Sequence, residues 1–263
     1  MTGADTFSII KTWTIENGWR VSPGTLWCQA GNRIWIGDGM TLGEGVTIGN
    51  DVRIGEDVTL GDGVVLGDCV RLGRGVRIGN DVVLGDGVSI GDRVKIGNDV
   101  TLYEYTQIGE YVEIGNGMTL GNDVLILDYT RIGNRVTLSN EVRLGRGVTI
   151  GNDVRIGDVV VLGDGVSIGD GVVIGNDMML GGGAVIPVPA DNPVDIGFAN
   201  GYRKCVMGVE GVAYISAGCH FFTLAEAIRH WSSHKENRTA TLALLEAAKA
   251  IAALHGWREE QPK

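Results

Sequence analysis

Acid–base chemistry near neutral pH is chiefly histidine chemistry, and in this chain the histidines come late. All four, His220, His230, His234 and His255, lie after Gly218. Any proton transfer in the long stretch before them falls to Tyr, Asp or Glu. His230 and His234 are four apart, a spacing that sets two side chains on one helix face. With Cys219 or His220 beside them they would offer metal-ligand chemistry. Ser232-Ser233 between them reads as a helix end, so they read as surface or interface groups and no metal ligand is assigned. Cys28, Cys69, Cys205 and Cys219 form no C-x-x-C pair and read as reduced thiols. No catalytic residue emerges from these groups.

Binding chemistry is more concentrated. The segment Leu102-Tyr103-Glu104-Tyr105-Thr106-Gln107 is rich in aromatic side chains, and Tyr111 and Tyr129 follow. Aromatic rings beside a guanidinium stack on planar ligands or on a partner surface. Arg93, Tyr103, Tyr105, Tyr111, Tyr129 and Ser139 are the candidate contacts for a small molecule or a protein partner. The competing expectation is that this zone packs against a neighbouring subunit or the terminal segment.

A six-residue period positions these groups. From Ile36 to Ile186 an Ile or Leu recurs at every sixth residue, 26 times in all. A typical unit is Ile48-Gly49-Asn50-Asp51-Val52-Arg53. Helices need apolar residues at three- and four-residue steps, and hairpin meanders need strands at roughly 8–12-residue spacing; neither fits. Val at the fifth position and Ile or Leu at the next first position alternate across a short strand, so both face inward. The Gly-Asn-Asp or Gly-Asp-Gly triplet supplies a corner, because these residues accept positive φ at little cost. One unit cannot bury its inner face alone, but stacked units can. Across the 25 units that begin at Ile36 through Leu180, position two departs from Gly only at Tyr103, Leu127 and Ser139. Thr106 and Thr130 replace the inward Val in the same zone.

These units resemble the hexapeptide-repeat family, whose pattern is an aliphatic residue, a small or acidic one, two free positions, a small or β-branched residue and one free position. The resemblance implies a left-handed parallel β-helix with three units per coil. Residues eighteen apart then stack, coils lie about 4.8 Å apart and the prism stands roughly 40 Å tall. On that geometry Arg93, Tyr111 and Tyr129 share one corner column, and Tyr103 and Ser139 share another with Gly121 between them. The resemblance also implies a homotrimer packed side by side. The least charged outward column, Thr47, Val65, Val83, Thr101, Thr119, Thr137, Arg155 and Val173, is the candidate subunit contact. Acyltransferases of the family commonly use a His on a coil as general base, and the similar γ-class carbonic anhydrases bind zinc through three His. The repeat region here has no His and no inserted loop.

Three parts are expected: an N-terminal β cap over 1–33, the β-helix over 34–188, and a C-terminal β-hairpin with two helices over 189–263. In the cap, Thr12 to Val21 reads as a hairpin around Asn17-Gly18, with Trp13, Trp19, Trp27 and Trp35 gathered nearby. Pro187 and Pro189 end the repeat, since proline lacks the donor a further coil needs. A linker through Asn200 leads to strands at Tyr202–Val209 and Val212–Ser216. Phe222-Thr223-Leu224-Ala225-Glu226 reads as a capping box opening a helix to about Trp231. A second helix is expected from Thr239 to Leu254, stopped at Gly256. The run from Ala217 to Ala227, with His230-Trp231, resembles a C-terminal module of uncharacterised bacterial and phage-encoded proteins, which implies a cap or attachment segment and no known activity.

Net charge is −10, with acids gathered at corner positions, which disfavours direct nucleic-acid binding. No apolar run matches a membrane span and no signal peptide is evident, so a cytoplasmic protein is expected. The main functional expectation is a non-enzymatic binding or structural homotrimer, contacting its ligand or partner at the Tyr-rich zone and needing no cofactor. The alternative is an acyltransferase-like enzyme with an atypical base, His220 reaching a neighbouring subunit being the candidate, and using acetyl-coenzyme A. A third reading is an acidic decoy of nucleic acid.

Overall fold

The computed structural model describes residues 14–16, 19–21, 29–30, 34–37, 39–186, 191–199, 202–217, 220–232 and 238–259. After β1 (Thr14–Glu16), β2 (Trp19–Val21) and β3 (Gln29–Ala30) come twenty-six two-residue strands, β4 (Trp35–Ile36) through β29 (Val185–Ile186). Each consists of one outward residue and one inward Ile or Leu. Consecutive strands fall on successive faces, so each strand pairs in parallel with the third one after it. Arg71, for example, is in register with Arg53 on one side and Ser89 on the other. Three parallel sheets result. Face A holds Thr47–Ile48 and its stack, face B Arg53–Ile54, and face C Thr59–Leu60. This is the three-sided parallel solenoid of a left-handed β-helix.

Local chemistry explains each position. The fourth residue of a unit sits at positive φ, for instance Asp81 at 55° and Gly63 at 66°. Its N–H donates to a carbonyl of the coil before, as from Gly63 to Glu44 at 2.8 Å. The third-position Asn and Asp do more than turn the chain. Their Oδ1 atoms accept backbone N–H groups from the preceding coil, as in Asn98 N to Asn116 Oδ1 at 2.7 Å and Asn116 N to Asn134 Oδ1 at 2.8 Å. Glycine holds position two because the coils touch there. A Cβ on Gly115 would lie 2.5 Å from the Gly133 carbonyl oxygen and 2.6 Å from its carbon.

The interior is two aliphatic ranks per face, Val and then Ile or Leu, nearly all fully buried. Each such side chain contributes roughly 1.5–3 kcal/mol before chain entropy is subtracted. Thr106 and Thr130 are buried in the same ranks. Their hydroxyls are satisfied by backbone: Thr106 Oγ1 by the carbonyls of Tyr103 (3.1 Å) and Gly121 (3.2 Å), Thr130 Oγ1 by that of Gly145 (3.2 Å).

Both ends are elaborated. β1 pairs antiparallel with β2, as the Asn17-Gly18 signal predicts; β2 pairs antiparallel with β3, and β3 joins face A in parallel. Residues 17–18, Trp13 and Trp27 lie outside the described residues. At the other end, the expected linker is a strand. β30 (Asp191–Ala199), β31 (Tyr202–Val209), β32 (Val212–Ala217) and β33 (His220–Thr223) form a four-stranded antiparallel sheet, larger than the expected hairpin. Pro193 is tolerated because β30 is an edge strand with two register shifts, one of them spanning Asp191 to Val194. This sheet is a layer between trunk and helices. Cys205 and Met207 join the trunk core, while Val206, Ala213 and Ile215 pack against α1 (Leu224–Ser232) and α2 (Arg238–His255). Ser216 Oγ accepts the N–H of Val185 at 3.3 Å, a partner for the last coil. No helix among the described residues is long and apolar enough to cross a membrane.

The capping box is formed. Thr223 N–H donates to Glu226 Oε2 at 2.9 Å, and Glu226 N–H to Thr223 Oγ1 at 3.2 Å. The Thr223 amide, more than its hydroxyl, holds the Glu226 carboxyl below the usual carboxylate range.

Two outcomes are expected. Gly115→Ala, which drives a Cβ into backbone, lowers stability by about 1–3 kcal/mol in urea unfolding, more than Gly147→Asn, where space is open. Thr223→Ala costs about 1 kcal/mol. Since Glu226 has a depressed folded-state pKa, its contribution is present above the unfolded pKa and lost on acidification below about pH 4. Parent and variant therefore both lose stability in acid, and the gap between them narrows only by the hydroxyl's smaller share.

Candidate functional site

The six candidate contacts divide between two of the three corners. Tyr103, Tyr105 and Ser139 stand at the corner where face A turns into face B. Arg93, Tyr111 and Tyr129 stand where face B turns into face C. The zone is therefore two surfaces rather than one. All four Tyr rings are exposed, from 38% for Tyr111 to 63% for Tyr129, so the described terminal segment does not cover them. At the A/B corner Tyr105 lies over Gly87, whose Cβ would come 2.9 Å from its Cδ1. Ser139 is half-buried two coils beyond Tyr103, with Gly121 between, so these side chains do not converge.

The B/C corner does assemble a group. Arg93, Tyr111 and Tyr129 occupy the positive-φ position of successive coils, at 58°, 56° and 59°. A shared backbone conformation throws each side chain out in the same direction. The Tyr111 and Tyr129 rings stack at 5.2 Å between centroids and 10° between planes. The Arg93 Cζ lies 5.3 Å from the Tyr111 centroid, and its Nη1 donates to the Tyr111 hydroxyl. Guanidinium and two rings form one continuous pile.

Beside the pile runs the outward column of face C: Arg77, Lys95, Glu113 and Arg131 on successive coils. Pile and column enclose a cleft of about 590 Å³, lined also by Asp57 and Gly75. Lys95 Nζ binds Glu113 Oε1 at 2.8 Å, and Arg131 Nε lies 3.6 Å from Glu113 Oε2. The Lys95 hydrogen bond holds the Glu113 carboxyl below its ordinary range, with the charges of Lys95 and Arg131 reinforcing it. These groups are solvent-exposed, so the pairs add little stability. Their effect is to place four cations against two carboxylates beside aromatic faces. An anionic, planar or sugar-bearing molecule fits that lining.

Sequence alone assigns none of Arg77, Lys95, Glu113 and Arg131 to a site. The available signal was four charged residues in consecutive coils of one column, next to the column of Arg93, Tyr111 and Tyr129. Among the histidines, His230 is half-buried in an aromatic cluster with Phe222 (5.1 Å) and Trp231 (5.7 Å). α1 ends at Ser232, and His234 and Cys219 lie outside the described residues. Among the described residues, no three His, Cys, Asp or Glu side chains are grouped to hold a metal ion.

Glu113→Gln is expected to release Lys95 and Arg131 and to tighten inorganic pyrophosphate roughly fivefold at low salt, the ratio that about 1 kcal/mol gives. Isothermal titration calorimetry measures it. Unchanged or weaker binding would show that Glu113 does not oppose anions here.

Comparison with known proteins adds family matches. The family described as Bacterial transferase hexapeptide (six repeats) matches residues 39–74 and 69–104, and the GMPPB C-terminal domain matches residues 87–185. No curated protein sequence gives a significant match. Among solved structures, UDP-N-acetylglucosamine O-acyltransferase (LpxA) from Moraxella catarrhalis RH4 is similar at 18% identity, over 58% of this chain and 66% of that one, with a TM-score of 0.38. LpxA from Acinetobacter baumannii is similar at 22% identity over 82% and 81%, with a TM-score of 0.41. The Arabidopsis UDP-N-acetylglucosamine acyltransferase is similar at 14% identity over 86% and 93%, with a TM-score of 0.33. The chain spans just under two thirds of the Moraxella protein's length.

Proposed function

Because the repeat region belongs to the hexapeptide-repeat superfamily, we propose that the chain is an acyltransferase-like protein that holds an anionic donor or acceptor in the B/C corner cleft. The observation that carries this reading is the row Arg77, Arg93, Lys95 and Arg131 set against stacked Tyr111 and Tyr129. The transferase description of the matching repeat family supports the reaction class. Acetyl-coenzyme A is the donor to try first. The exposed Val65, Val83 and Val173 of face A support a side-by-side homotrimer. Glu113 is a weak general base, because the Lys95 hydrogen bond lowers its affinity for a proton. His220, at the start of β33, belongs to the sheet behind the last coil. The Arg131 level is three coils from the Val185 level, roughly 14 Å. In a side-by-side trimer each neighbour holds its own His220 at that same height, so His220 does not supply the proton acceptor for this cleft.

A second reading is a ligand-binding protein without turnover. It is favoured by one observation: from Met1 to Gly218 there is no His. Incubation with acetyl-coenzyme A and a panel of sugar and amine acceptors, read by acceptor mass shift, separates the two. The enzyme reading expects an acetyl mass increment on the acceptor that falls at least about tenfold in Arg131→Ala and is unchanged in His220→Ala. Pyrophosphate binding with no product from any acceptor supports the second reading and overturns the first.

A further inference from the structure

Beyond Tyr129 the pile stops but the corner continues. The next three residues in its column are Gly147, Gly165 and Gly183, at φ of 64°, 67° and 72°. A Cβ built on any of them meets nothing within 4 Å. Elsewhere the same corner position is covered: Gly39 by Asp57, Gly63 by Asp81 and Gly87 by Tyr105. Tyr111 carries Arg93 on one face and Tyr129 on the other, whereas the second face of Tyr129 looks onto the open Gly147 level. Tyr129 is accordingly the most exposed of the four rings of the zone, at 63%.

The open level has the dimensions of a missing ring. Tyr111 and Tyr129 repeat at 5.2 Å, close to the coil spacing of about 4.8 Å. A planar group laid on Tyr129 would continue the pile at the height of Gly147. Cations flank that height. Arg131 follows Tyr129 by two residues and Arg146 precedes Gly147, each in a long 3.6 Å pair, with Glu113 and Asp128 respectively. Both side chains are about 70% exposed, so an incoming anion can compete for them.

We propose that this level seats a planar aromatic anion: its ring lies on Tyr129 as the third ring of the pile, and its acidic group meets Arg131 or Arg146. The inference rests on the B/C corner being a ligand site and specifies what enters it. Two sources share this chemistry, a nucleoside phosphate and an aromatic carboxylate.

Calorimetry on the full chain with adenosine monophosphate and with 4-hydroxybenzoate tests it, with adenosine and inorganic phosphate as ring-only and acid-only controls. At least one aromatic anion binds more tightly than both controls, and the one that binds names the source. Gly147→Tyr puts a fixed ring on the open level; Tyr129 already shows that a tyrosine adopts this backbone conformation. Its binding falls about tenfold or more while its melting temperature stays near the parent's. Tyr129→Ala, which removes the platform, loses binding similarly and serves where Gly147→Tyr fails to fold. Aromatic anions no tighter than inorganic phosphate, or binding unchanged in a folded Gly147→Tyr, overturns the proposal. Pyrophosphate binding that depends on Arg77 and Lys95 yet ignores Gly147→Tyr leaves the cleft standing while the ring seat falls. An aromatic anion sensitive to Gly147→Tyr, with no pyrophosphate binding, keeps the seat and removes the wider cleft.

Discussion

In the trunk each residue stands over the one eighteen positions away, and backbone hydrogen bonds between coils hold that register, such as Gly97 N–H to the Ile114 carbonyl at 2.9 Å. The aliphatic ranks inside depend on it, because with three units per coil this offset sets Val over Val and Ile or Leu over Ile or Leu on every face. Position-two glycines let the coils come this close. A shift of one residue would turn every inward side chain out.

The exposed corners inherit the same rule. Like stands over like, so a side chain interacts first with its counterpart on the next coil. Arg93 over Tyr111 over Tyr129 is one outcome, and Glu113 between Lys95 and Arg131 is another. Neither needs a loop or an insertion to bring distant residues together. The scaffold lines up groups in straight files with spacing fixed by the backbone, which suits flat or extended molecules better than enclosed ones. The same rule explains why Tyr105 does not join Tyr111: six residues along the chain is one full corner away.

The trunk was legible because its code is local and repeated, and the Val and Ile or Leu positions could be read one unit at a time. The capping box at Thr223 and Glu226 was legible for a similar reason, being a four-residue signal. The stretch expected as a linker through Asn200 was not legible as a strand, because its pairing is an irregular edge with two register shifts and contains Pro193. In the candidate site, the eighteen-residue step placed Arg93, Tyr111 and Tyr129 correctly in one column. Grouping Tyr103, Tyr105 and Ser139 with them followed nearness in sequence rather than that step. Arg77, Lys95, Glu113 and Arg131 were passed over because each alone is an ordinary solvated charge. Their significance comes from lying alongside the aromatic file, a relation between two columns that no single unit displays.

The carboxamide and carboxylate bonds at the third position all point the same way. The earlier residue gives its N–H and the acceptor arrives eighteen residues later, as from Asn134 to Asn152 and from Asn152 to Asp170. On a ribosome, each newly emerged storey therefore completes the one already made and leaves its own donors waiting for the next. The order in which these acceptors arrive matches synthesis, while bonds that close only between neighbours let the prism grow outward from whichever floor forms first.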